Sequence, residues 1–438
     1  MRNSKNESPN EDGALKITRR TLAKMGIAAG CGSVAELPLL GNWGQAANEQ
    51  TTKSRKSMTT KPSVVVVGAG AFGGWTALHL LRQGASVTLI DTWGPGNSRA
   101  SSGGETRVIR GAYGPNQPYT KMAARSFELW RQNERRWNQK LLSPIGVLWM
   151  AEEDDSFERA SLPPLKEAGI PYEELPAEEL KKRWPQINFE RVRWGIYEPQ
   201  SGYLLARASC QTLVEHFVEE GGSYRQVAVT PPATEENVGK GVALSDGTTL
   251  VADHYVYACG PWLGKLFPVS VGKNLAPTRQ DVIFFGTPSG DTRYDAGNIP
   301  VWADHRDHFM YGIPGNQNRG FKIADDTRGP EFDPTDGERI VSPERVNEAR
   351  VYVAFRFPGM KDAPVLETRV CQYENTPDHD YILDRHPTAG NVWIAGGGSG
   401  HGFKNGPAVG ERLAEMILKG GSTEPRFRLA RFNEPPKS

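Results

Sequence analysis

Three glycines and an aspartate have the types and the spacing needed to bind the phosphates and a ribose of a dinucleotide. In the stretch "GAGAFGG", Gly68, Gly70 and Gly73 match the pattern G-x-G-x-x-G. Glycine at these positions lets backbone N–H groups approach a pyrophosphate at the positive end of a helix. The carboxylate of Asp91, farther along the chain, can accept hydrogen bonds from ribose hydroxyls. Because the same pattern also occurs in tight turns that bind nothing, its context matters.

The elements around these glycines are those of a strand–helix–strand unit. Four consecutive valines at 64–67 predict a buried parallel strand. The apolar positions of "GGWTALHLLRQG" recur at helical spacing, and Gly84 is placed to end that helix. The stretch "SVTLID" then predicts a strand that finishes at Asp91. This context predicts dinucleotide binding but leaves open whether the ligand carries a flavin or a nicotinamide.

A cysteine in a polar stretch near the C-terminus is a second candidate for chemistry. In "TRVCQYENTP", a strand would place Arg369, Cys371 and Tyr373 on one face, since strand side chains alternate with a period of two. Cysteines are usually small buried hydrophobes, so these residues alone favour a structural thiol. A thiol is also the group that a covalent bond to a cofactor would require.

Cationic side chains stand in two further stretches. Arg107 and Arg110 in "TRVIRGAYG" are three residues apart, and this spacing predicts that they share one face of a helix. Lys322 follows Tyr311 in a stretch of predicted strands and turn glycines. Taken alone, the arginines are typical of surface charges, and Lys322 is one strand lysine among many.

The stretch "GGGSGHGFKNG" joins a predicted strand to a predicted helix. Its N–H groups, including those of Gly400 and Gly402, present positive potential together with the helix dipole. Lys404 adds a full positive charge at the same place. Such a loop can stabilise negative charge on a bound cofactor.

The composition narrows the class of protein. A chain of 438 residues is too long for one ordinary core, so we expect two domains. With 52 basic and 51 acidic residues the formal charge is +1, which gives no electrostatic case for nucleic-acid binding. The four cysteines show neither CxxC spacing nor the density of a disulfide framework, so we expect no metal site.

The remaining patterns predict an α/β protein with a second sheet. Residues 120–141 look helical, and residues 152–184 are acidic and helix-prone. The stretch "VALSDGTTLVADHYVYACG" predicts a hairpin followed by a strand. Residues 280–325 predict strands with turn glycines in a separate antiparallel sheet.

Residues 1–47 are predicted to be a secretory signal of the twin-arginine type. Arg19 and Arg20 precede a weakly apolar stretch of small residues, which is too short and too rich in glycine to cross a bilayer. Residues 48–61 are polar and predict a flexible leader. The protein is therefore expected in the periplasm or outside the cell, whereas a start at Met58 would leave it in the cytoplasm.

Five stretches of the chain resemble the monomeric sarcosine oxidase family. They are "SGGETRVIRGAYG", "YEPQSGYLLAR", "DHYVYACGPWLGKL", "ENTPDHDYILDRHP" and "GGGSGHGFKNGPAVGE". These pieces stand in the order and spacing of the family, and the resemblance runs from about residue 62 to the C-terminus. It implies FAD as the cofactor and oxidation of an N-methyl, N-alkyl or cyclic secondary amino acid, with an imine and hydrogen peroxide as products.

The resemblance also implies the architecture. A Rossmann-like FAD-binding domain would carry an inserted substrate domain built on an antiparallel sheet. The FAD-binding domain would comprise residues 62–145, 196–268 and 366–430, and the substrate domain residues 146–195 and 269–365. The implied partners are a small amine substrate and molecular oxygen, and we expect a monomer.

The resemblance assigns roles to individual residues. The cysteine matching Cys371 is bonded through sulfur to the flavin ring, and the arginine matching Arg107 lies against the flavin. The lysine matching Lys322 promotes electron transfer to oxygen, and Tyr311 is assigned with it to the catalytic group. A fixed ammonium charge beside developing superoxide would act electrostatically.

The resemblance also describes the substrate pocket. The tyrosine matching Tyr373 lines it, and the residues matching Arg110 and Lys404 bind the substrate carboxylate, for which arginine offers a bidentate clamp. This chain departs from the family at Gly103 and Asp326, where relatives often have histidine. A loss of histidine at Gly103 would affect the pocket and the flavin attachment, and an acid at Asp326 would weaken the effect of a nearby lysine on oxygen.

Three alternatives remain open from the sequence. A flavin-dependent amine dehydrogenase would pass electrons to an acceptor other than oxygen, and a nicotinamide-dependent dehydrogenase would use the same glycine fingerprint. An exported protein that binds a flavin without turnover belongs to a different functional class. Within the oxidase interpretation, fructosyl amines compete with sarcosine-like substrates.

Overall fold

Most of the chain is described by a computed structural model, which covers residues 61–232, 234–305 and 308–433. The predicted signal peptide, residues 1–47, lies outside the described residues, and so does all but the last residue of the predicted leader. The described residues belong to one unit of mutual contacts, Thr59–Ser438.

The regular elements alternate between strands and helices along the chain. The strands are β1 (Ser63–Val67), β2 (Ser86–Asp91), β3 (Thr106–Ile109), β4 (Leu142–Ser143), β5 (Val147–Ala151), β6 (Glu173–Pro176), β7 (Trp194–Glu198), β8 (Gly202–Leu205), β9 (Ser223–Gln226), β10 (Val242–Ala243), β11 (Thr249–Leu250), β12 (His254–Tyr257), β13 (Ala276–Phe285), β14 (Val301–His305), β15 (Phe309–Ile313), β16 (Phe321–Asp325), β17 (Val365–Asn375), β18 (Ile382–His386) and β19 (Ala389–Gly396). The α-helices are α1 (Ala71–Arg82), α2 (Gln117–Trp137), α3 (Ser156–Glu167), α4 (Ala177–Arg183), α5 (Ala206–Glu219), α6 (Leu263–Leu266), α7 (Pro343–Arg356) and α8 (Gly406–Lys419). Short 3₁₀ helices span Glu235–Lys240, Gly260–Trp262, Gly272–Asn274, Thr292–Tyr294, Pro358–Met360, Phe403–Asn405, Pro425–Phe427 and Leu429–Asn433.

A six-stranded sheet carries the glycine fingerprint. Its order is β18–β19–β12–β1–β2–β9, and every neighbouring pair is parallel except the edge pair β18–β19. The valines at 64–67 are at most 5 % exposed, as the predicted parallel strand requires. The chain passes from β1 to β2 through α1, whereas β12 pairs with the opposite edge of β1. Open α/β sheets bind ligands outside the carboxyl ends of the strands at such a reversal.

Helix α8 packs against α1 on this sheet. Its apolar positions Val409, Leu413 and Ile417 are buried in the same core as Trp75 and Leu78 of α1. Gly410 permits the close approach, since a Cβ atom there would lie 2.5 Å from the Trp75 carbonyl carbon. The predicted helix after the second glycine loop is therefore confirmed, and its position fixes the loop beside α1.

The second large sheet of the molecule has eight strands. Its order is β17–β13–β16–β15–β14–β5–β7–β6, and the pairs are antiparallel apart from the parallel pair β14–β5. The paired positions of five strands place one row of side chains on the same face, namely Val282, Ala324, Tyr311, Ala303 and Trp149.

The opposite face of this sheet packs on α7. Ile283, Trp302 and Ile323 share a buried cluster with Ala349 and Val353 of that helix. The predicted antiparallel sheet over residues 280–325 is confirmed. The face that packs on α7 makes the sheet a rigid support for the side chains on its other face.

A three-stranded antiparallel sheet, β3–β8–β4, corrects one sequence prediction. Arg107 lies on β3 and Arg110 follows it, so the two arginines do not share a helical face. Thr106, Val108 and Ile109 are β-branched, and such residues favour a paired strand over a helix. The predicted helix at 120–141 is α2, which begins and ends somewhat earlier, and the region 152–184 contains β6 between two helices.

The predicted domain boundaries run through two strands. Strand β17 pairs along its length with β13 in the eight-stranded sheet, although all but its first residue was assigned to the FAD-binding domain. Strand β7 crosses the predicted boundary between 195 and 196. The division into two domains stays a prediction. No helix in the described ranges combines the length and the apolar character that a membrane span requires.

Candidate functional site

Two adjoining cavities lie where the sheets meet. The larger cavity has a volume of about 380 Å³ and extends past the ends of β1, β2 and β12. The smaller cavity has a volume of about 80 Å³ and is floored by the eight-stranded sheet. Arg107, Tyr373, Gly400 and Phe403 line both cavities and therefore mark the boundary between them.

The glycine fingerprint forms one end of the larger cavity. Gly68 has φ +104°, and a Cβ atom there would lie 2.3 Å from the Ala258 carbonyl oxygen. A Cβ atom on Gly73 would lie 1.9 Å from the Gly68 carbonyl oxygen, so only glycine allows α1 to approach β1 this closely. Gly70 lines the cavity at the start of α1. The positive end of this helix therefore opens onto the cavity, as binding of a pyrophosphate requires.

Asp91 lies beside the fingerprint and is already part of its hydrogen-bond network. Its carboxylate accepts N–H groups from Ala69, Trp93 and Gly94, each at 2.9 Å. Burial raises the pKa of Asp91, and these three hydrogen bonds oppose that effect. A carboxylate accepts about four hydrogen bonds, so one more acceptor position remains for a ribose hydroxyl.

Glu374 is a buried carboxyl group in the larger cavity that the sequence analysis missed. Its Oε1 accepts the Gly398 N–H at 3.2 Å, whereas no group of the described residues hydrogen-bonds to Oε2. Burial raises the pKa of Glu374 to about 7. It lies next to Tyr373 on β17 but on the opposite face, so the period of two could have located it.

The second glycine loop lines the larger cavity beside the start of α1. Gly400 has φ +82°, and a Cβ atom there would lie 2.6 Å from the Tyr373 ring. A Cβ atom on Gly402 would lie 3.0 Å from the Phe72 ring. The two glycine stretches, the open helix end and the unpartnered Glu374 oxygen together fit an elongated dinucleotide such as FAD.

Arg107 stands at the boundary of the cavities, with Cys371 beside it in the smaller one. The Arg107 guanidinium donates to the Ser101 and Gly103 carbonyl oxygens at 2.7 and 2.6 Å, and it reaches the Cys371 Sγ at 3.4 Å. Cys371 is a free cysteine that lines the smaller cavity, and Cys259 lines the larger one. The Cys371 sulfur is therefore open to a ligand rather than sealed in an apolar interior.

Gly103, where the resemblance implies histidine in relatives, lies in a tight loop. A Cβ atom at this position would lie 2.2 Å from the Asn97 carbonyl oxygen and 2.9 Å from that of Ala100. The loop therefore cannot hold a histidine side chain without moving. In this conformation the Gly103 carbonyl oxygen is free to accept the Arg107 guanidinium, which fixes the arginine at the boundary.

Lys322 and Tyr311 lie side by side in the smaller cavity. Lys322 is 2 % exposed, its ammonium group donates to the Thr106 carbonyl oxygen at 3.1 Å, and its Nζ lies 5.5 Å from the centre of the Tyr311 ring. Burial, followed by the Arg107 guanidinium, lowers the pKa of Lys322 to about 7. The lysine therefore changes charge near neutral pH.

Arg110 and Lys404 flank one aromatic ring at the far side of the smaller cavity. The Arg110 guanidinium carbon and the Lys404 Nζ lie 4.3 and 4.9 Å from the centre of the Tyr113 ring. Lys404 donates to the His401 carbonyl oxygen at 3.0 Å. Burial, followed by the nearby Arg110, lowers the pKa of Lys404 well below its ordinary value. Two converging cations in a half-closed cavity form a binding site for an anion.

Glu198 positions the segment that carries Arg110. Its carboxylate is completely buried and accepts the Gly111 N–H at 2.7 Å and the Trp149 indole N–H at 2.9 Å. Trp149 in turn lies under the Arg110 guanidinium, 4.9 Å from its carbon. Sequence reasoning missed this residue, although it lies in one of the stretches that resemble the family.

Asp326 and Tyr373 form a hydrogen-bonded pair in the smaller cavity. The Tyr373 hydroxyl donates to the Asp326 Oδ1 at 2.5 Å. Burial, reinforced by the aspartate, raises the pKa of Tyr373 well above its ordinary value. Burial also raises the pKa of Asp326 to about 6, against the opposing effects of the Tyr373 hydrogen bond and the charges of Arg110 and Lys404.

The predicted site residues therefore meet at two connected places. The residues predicted to hold the cofactor line the larger cavity or its boundary, and those predicted for catalysis and substrate binding line the smaller one. Two of the predicted cofactor residues are exceptions. Gly73 lines neither cavity and acts by allowing α1 to pack on β1, and Cys371 lines only the smaller cavity. Arg369 does not line the smaller cavity and pairs with Glu105 at 3.1 Å. Within the described ranges, no cluster of three or more His, Cys, Asp or Glu side chains is arranged to hold a metal ion.

Relatives of known activity match nearly the whole described chain. The monomeric sarcosine oxidase of Bacillus sp. (strain B-0618) is 30 % identical over 389 residues, which cover 86 % of this chain and 97 % of that protein. The crystal structure of L-proline dehydrogenase from P. horikoshii has a TM-score of 0.74 at 23 % identity and covers 85 % of this chain and 98 % of its own. Fructosyl peptide oxidase from E. terrenum has a TM-score of 0.72 at 21 % identity, over 84 % and 92 %. At these identities the two structures establish the fold.

A family model decides between the two dinucleotides that the fingerprint left open. The model described as FAD dependent oxidoreductase matches residues 63–416, a range that contains both glycine stretches and every residue of the smaller cavity. The chain belongs to this family of FAD-dependent oxidoreductases.

Proposed function

We propose that the protein oxidises a small secondary amino acid with FAD, giving an imine that water hydrolyses, and passes the electrons to oxygen to give hydrogen peroxide. The observation that carries this proposal is the content of the smaller cavity. Arg110 and Lys404 converge on one ring, and Lys322 lies by the boundary with the larger cavity. These charges provide a binding site for a carboxylate and a separate cation for oxygen chemistry.

The larger cavity would hold the cofactor. Gly68, Gly70 and the start of α1 would bind the pyrophosphate, Asp91 a ribose, and the loop with Gly400 the flavin end. When bound, FAD accepts a hydride equivalent from the C–H bond next to the substrate nitrogen. The two glycine stretches support this assignment, because without side chains their backbone can approach the cofactor closely.

The charged residues of the smaller cavity would position the substrate. Arg110 and Lys404 would bind the carboxylate, with Glu198 keeping the Arg110 segment in place through the Gly111 N–H. A carboxylate brought next to Lys404 would favour the protonated form of that lysine, whose pKa burial otherwise lowers. Tyr373 and Phe403, which line both cavities, would exclude water where the cavities meet.

Lys322 would act on oxygen, and Tyr311 would pack beside it. Its ammonium group is held by the Thr106 carbonyl oxygen in a buried position, so its charge is fixed rather than mobile. A fixed cation stabilises the negative charge that develops when oxygen accepts an electron.

The size of the smaller cavity bears on the substrate. Its volume of about 80 Å³ is about a fifth of the 380 Å³ of the larger cavity. An amino acid with a small side chain fits this space better than an amine that carries a sugar. This favours sarcosine-like or cyclic amino acids over the fructosyl substrates that the name of the E. terrenum protein indicates.

A flavin-dependent dehydrogenase is the second candidate. One of the proteins that share the fold is named as an L-proline dehydrogenase. The negative charge of Asp326 acts on Lys322 and opposes the effect of the lysine on oxygen. Slow reaction with oxygen together with rapid reaction with an artificial acceptor would favour this candidate.

The reaction is tested by mixing the purified yellow protein with N-methylglycine, N-methylalanine, proline and pipecolate without oxygen. We expect at least one of them to bleach the flavin absorbance, and admission of oxygen to restore it with one peroxide per turnover. If none of a broad set of amines bleaches the flavin, the oxidase proposal is wrong and an exported flavin-binding protein is favoured.

We also propose that the flavin is bonded to Cys371. Its sulfur is free and lines the smaller cavity, and the Arg107 guanidinium reaches it at 3.4 Å. Denatured wild-type protein should keep its yellow colour, and Cys371→Ser should release the flavin. Cys210→Ala is the matched control, because Cys210 is buried in α5 and lines neither cavity. Release of the flavin from wild type would refute the bond.

Export by the twin-arginine route remains part of the proposal. It rests on the order of a basic pair, a small-residue stretch and alanines in residues 1–47. This route carries folded proteins, so the cofactor would be loaded before export. Replacing Arg19 and Arg20 by lysine should retain the protein in the cytoplasm, and secretion that is unaffected by the change would refute the assignment.

A further inference from the structure

Asp326 is an acidic side chain in a cavity that several cations line, and the other aspartate of that lining, Asp325, is already paired with His308 at 3.1 Å. Asp326 follows the last residue of β16, and its N–H donates to the Phe309 carbonyl oxygen at 2.8 Å, which fixes its backbone. Its Oδ1 accepts the Tyr373 hydroxyl at 2.5 Å. Among the described residues, no other group donates to this carboxylate. The second oxygen is therefore available to a ligand in the smaller cavity.

The charges of the smaller cavity are arranged as the complement of a zwitterion. Arg110 and Lys404 meet at the Tyr113 ring, and their charges act on Asp326 without a direct ion pair to it. Direct pairing would have used the carboxylate as an internal partner for the cations. Two cations and one separate anion instead provide one place for a carboxylate and another for an ammonium group.

We propose that Asp326 binds the amino nitrogen of the substrate, so that the cavity selects zwitterionic α-amino acids over carboxylates without an amine and over amines without a carboxylate. This rests on the proposed function and narrows its substrate class. Tyr373 is the positioning residue, because its hydroxyl holds one carboxylate oxygen and directs the other towards the cavity.

The competing explanation is that Asp326 serves only as a counter-charge for Arg110 and Lys404. The two explanations predict opposite results for a neutral variant. If Asp326 binds the amine, removing its charge weakens ligands that carry an amine. If it is only a counter-charge, removing it strengthens the binding of every carboxylate, with or without an amine.

A pair of ligands of nearly the same shape separates these outcomes. 2-Aminoisobutyrate carries an ammonium group where pivalate carries a methyl group, and neither has a hydrogen on the carbon next to a nitrogen, so neither can be oxidised. Binding to the holoenzyme is followed by the change in the flavin absorbance. Wild type should bind 2-aminoisobutyrate at least about tenfold more tightly than pivalate.

The variant Asp326→Asn should lose most of that preference. We expect 2-aminoisobutyrate to bind about 10- to 100-fold more weakly and pivalate to bind as tightly as before or more tightly. Asp362→Asn removes an exposed carboxylate outside both cavities and should keep the wild-type preference. Equal strengthening of both ligands in Asp326→Asn, or no change in either, would overturn the proposal.

Wild type provides a test that does not depend on a variant folding. Equal affinity of the wild-type holoenzyme for the two ligands would refute amine binding by Asp326, even if no variant could be purified. Tyr373→Phe provides a further measurement, because loss of the positioning hydroxyl should weaken 2-aminoisobutyrate more than pivalate. Both ligands are inert, so these results stand apart from the bleaching experiment that tests the oxidase proposal.

Discussion

The larger cavity is lined mainly by backbone at its functional positions, whereas the smaller cavity is lined by charged side chains. The larger cavity is shaped by backbone, with Gly68, Gly70 and Gly400 in its walls, and the carboxylate of Asp91 is held by three amides. The smaller cavity is shaped by side chains, and its Lys322 and other charged groups come from separate strands and loops. We call the backbone wall of the larger cavity the cradle, and its shape is set before any ligand binds. The smaller cavity instead contains charged side chains that are partly unpaired.

This difference assigns opposite stability effects to substitutions in the two places. Adding atoms to the cradle forces strands and helices apart, so stability and cofactor binding fall together. Removing a buried charge from the smaller cavity relieves desolvation, so stability rises while activity falls. Active sites commonly hold such strain.

Gly73→Ala should have the largest effect. Its Cβ atom would lie 1.9 Å from the Gly68 carbonyl oxygen, and because this neighbour is backbone it cannot turn aside. We expect destabilisation of about 3 kcal/mol and loss of most bound FAD. The flavin content of purified protein and its thermal unfolding midpoint measure the two effects.

Gly390→Ala is the matched control for that change. A Cβ atom at Gly390 would meet nothing within 4 Å, so this variant should keep both its flavin and its midpoint. If Gly73→Ala behaved like this control, the backbone of the fingerprint would have to be more adaptable than its packing indicates, and the contrast between the cavities would weaken.

Lys322→Met tests whether a positive charge in the smaller cavity speeds the reaction of the reduced enzyme with oxygen. We expect the rate at which oxygen reoxidises the substrate-reduced enzyme to fall by about 100-fold, because the fixed positive charge is lost. In wild type the same rate should decrease as the pH rises through about 7, since burial lowers the pKa of Lys322 to that value and the ammonium form disappears above it. The variant should show no such pH dependence.

The groups that face Lys322 set the conditions of this test. The charged or titratable neighbours that act on it are Arg107, Cys371, Arg369 and Asp326. Stopped-flow mixing of the reduced enzyme with oxygen at several pH values gives the rate. A variant that reacts with oxygen as fast as wild type would remove Lys322 from the reaction.

The cradle could be predicted from the sequence because its signals are local. The valines at 64–67, the spacing of Gly68, Gly70 and Gly73, and the strand that ends at Asp91 lie within one short stretch. Gly73 answers a steric requirement of Gly68 within the same turn, and such a requirement leaves a pattern in the chain.

The smaller cavity could be predicted only through the family resemblance. Arg110, Lys322 and Lys404 are distant in sequence, and their meeting depends on how the sheets pack. The expected helical face for Arg107 and Arg110 was wrong because pairing of β3 with β8 outweighed a spacing argument. Glu198 gave no local signal either, since its role appears only when Gly111 and Trp149 are brought to it.

Lys404→Met tests the comparison of the two cavities further, because it should weaken substrate binding and raise thermal stability. Loss of one charged partner of the carboxylate should raise KM by about 10- to 100-fold with a smaller effect on kcat. Burial lowers the pKa of Lys404, so the folded state binds its proton less tightly than the unfolded state does. Holding this lysine therefore opposes folding, and the variant should unfold at a higher temperature.

An exposed lysine provides the control for Lys404. Lys361→Met lies on the surface and should change neither KM nor the unfolding midpoint noticeably. A lower midpoint for Lys404→Met would show that the hydrogen bond from Lys404 to the His401 carbonyl oxygen outweighs the desolvation of the charge.

Glu374→Gln should have the smallest effect. It tests whether the larger cavity also contains a buried ionisable group that lowers the stability of the folded protein. Burial raises the pKa of Glu374 from 4.5 to about 7. Between these two pH values the unfolded chain loses the proton while the folded protein retains it, so the contribution of this group to stability falls as the pH rises and is lowest above about 7. Glutamine has no proton to lose, so the variant should match wild type near pH 4.5 and unfold a few degrees higher at pH 8. Flavin-free protein on a Cys371→Ser background provides the measurement, and an equal difference at both pH values would mean that the carboxyl group does not titrate as its burial requires.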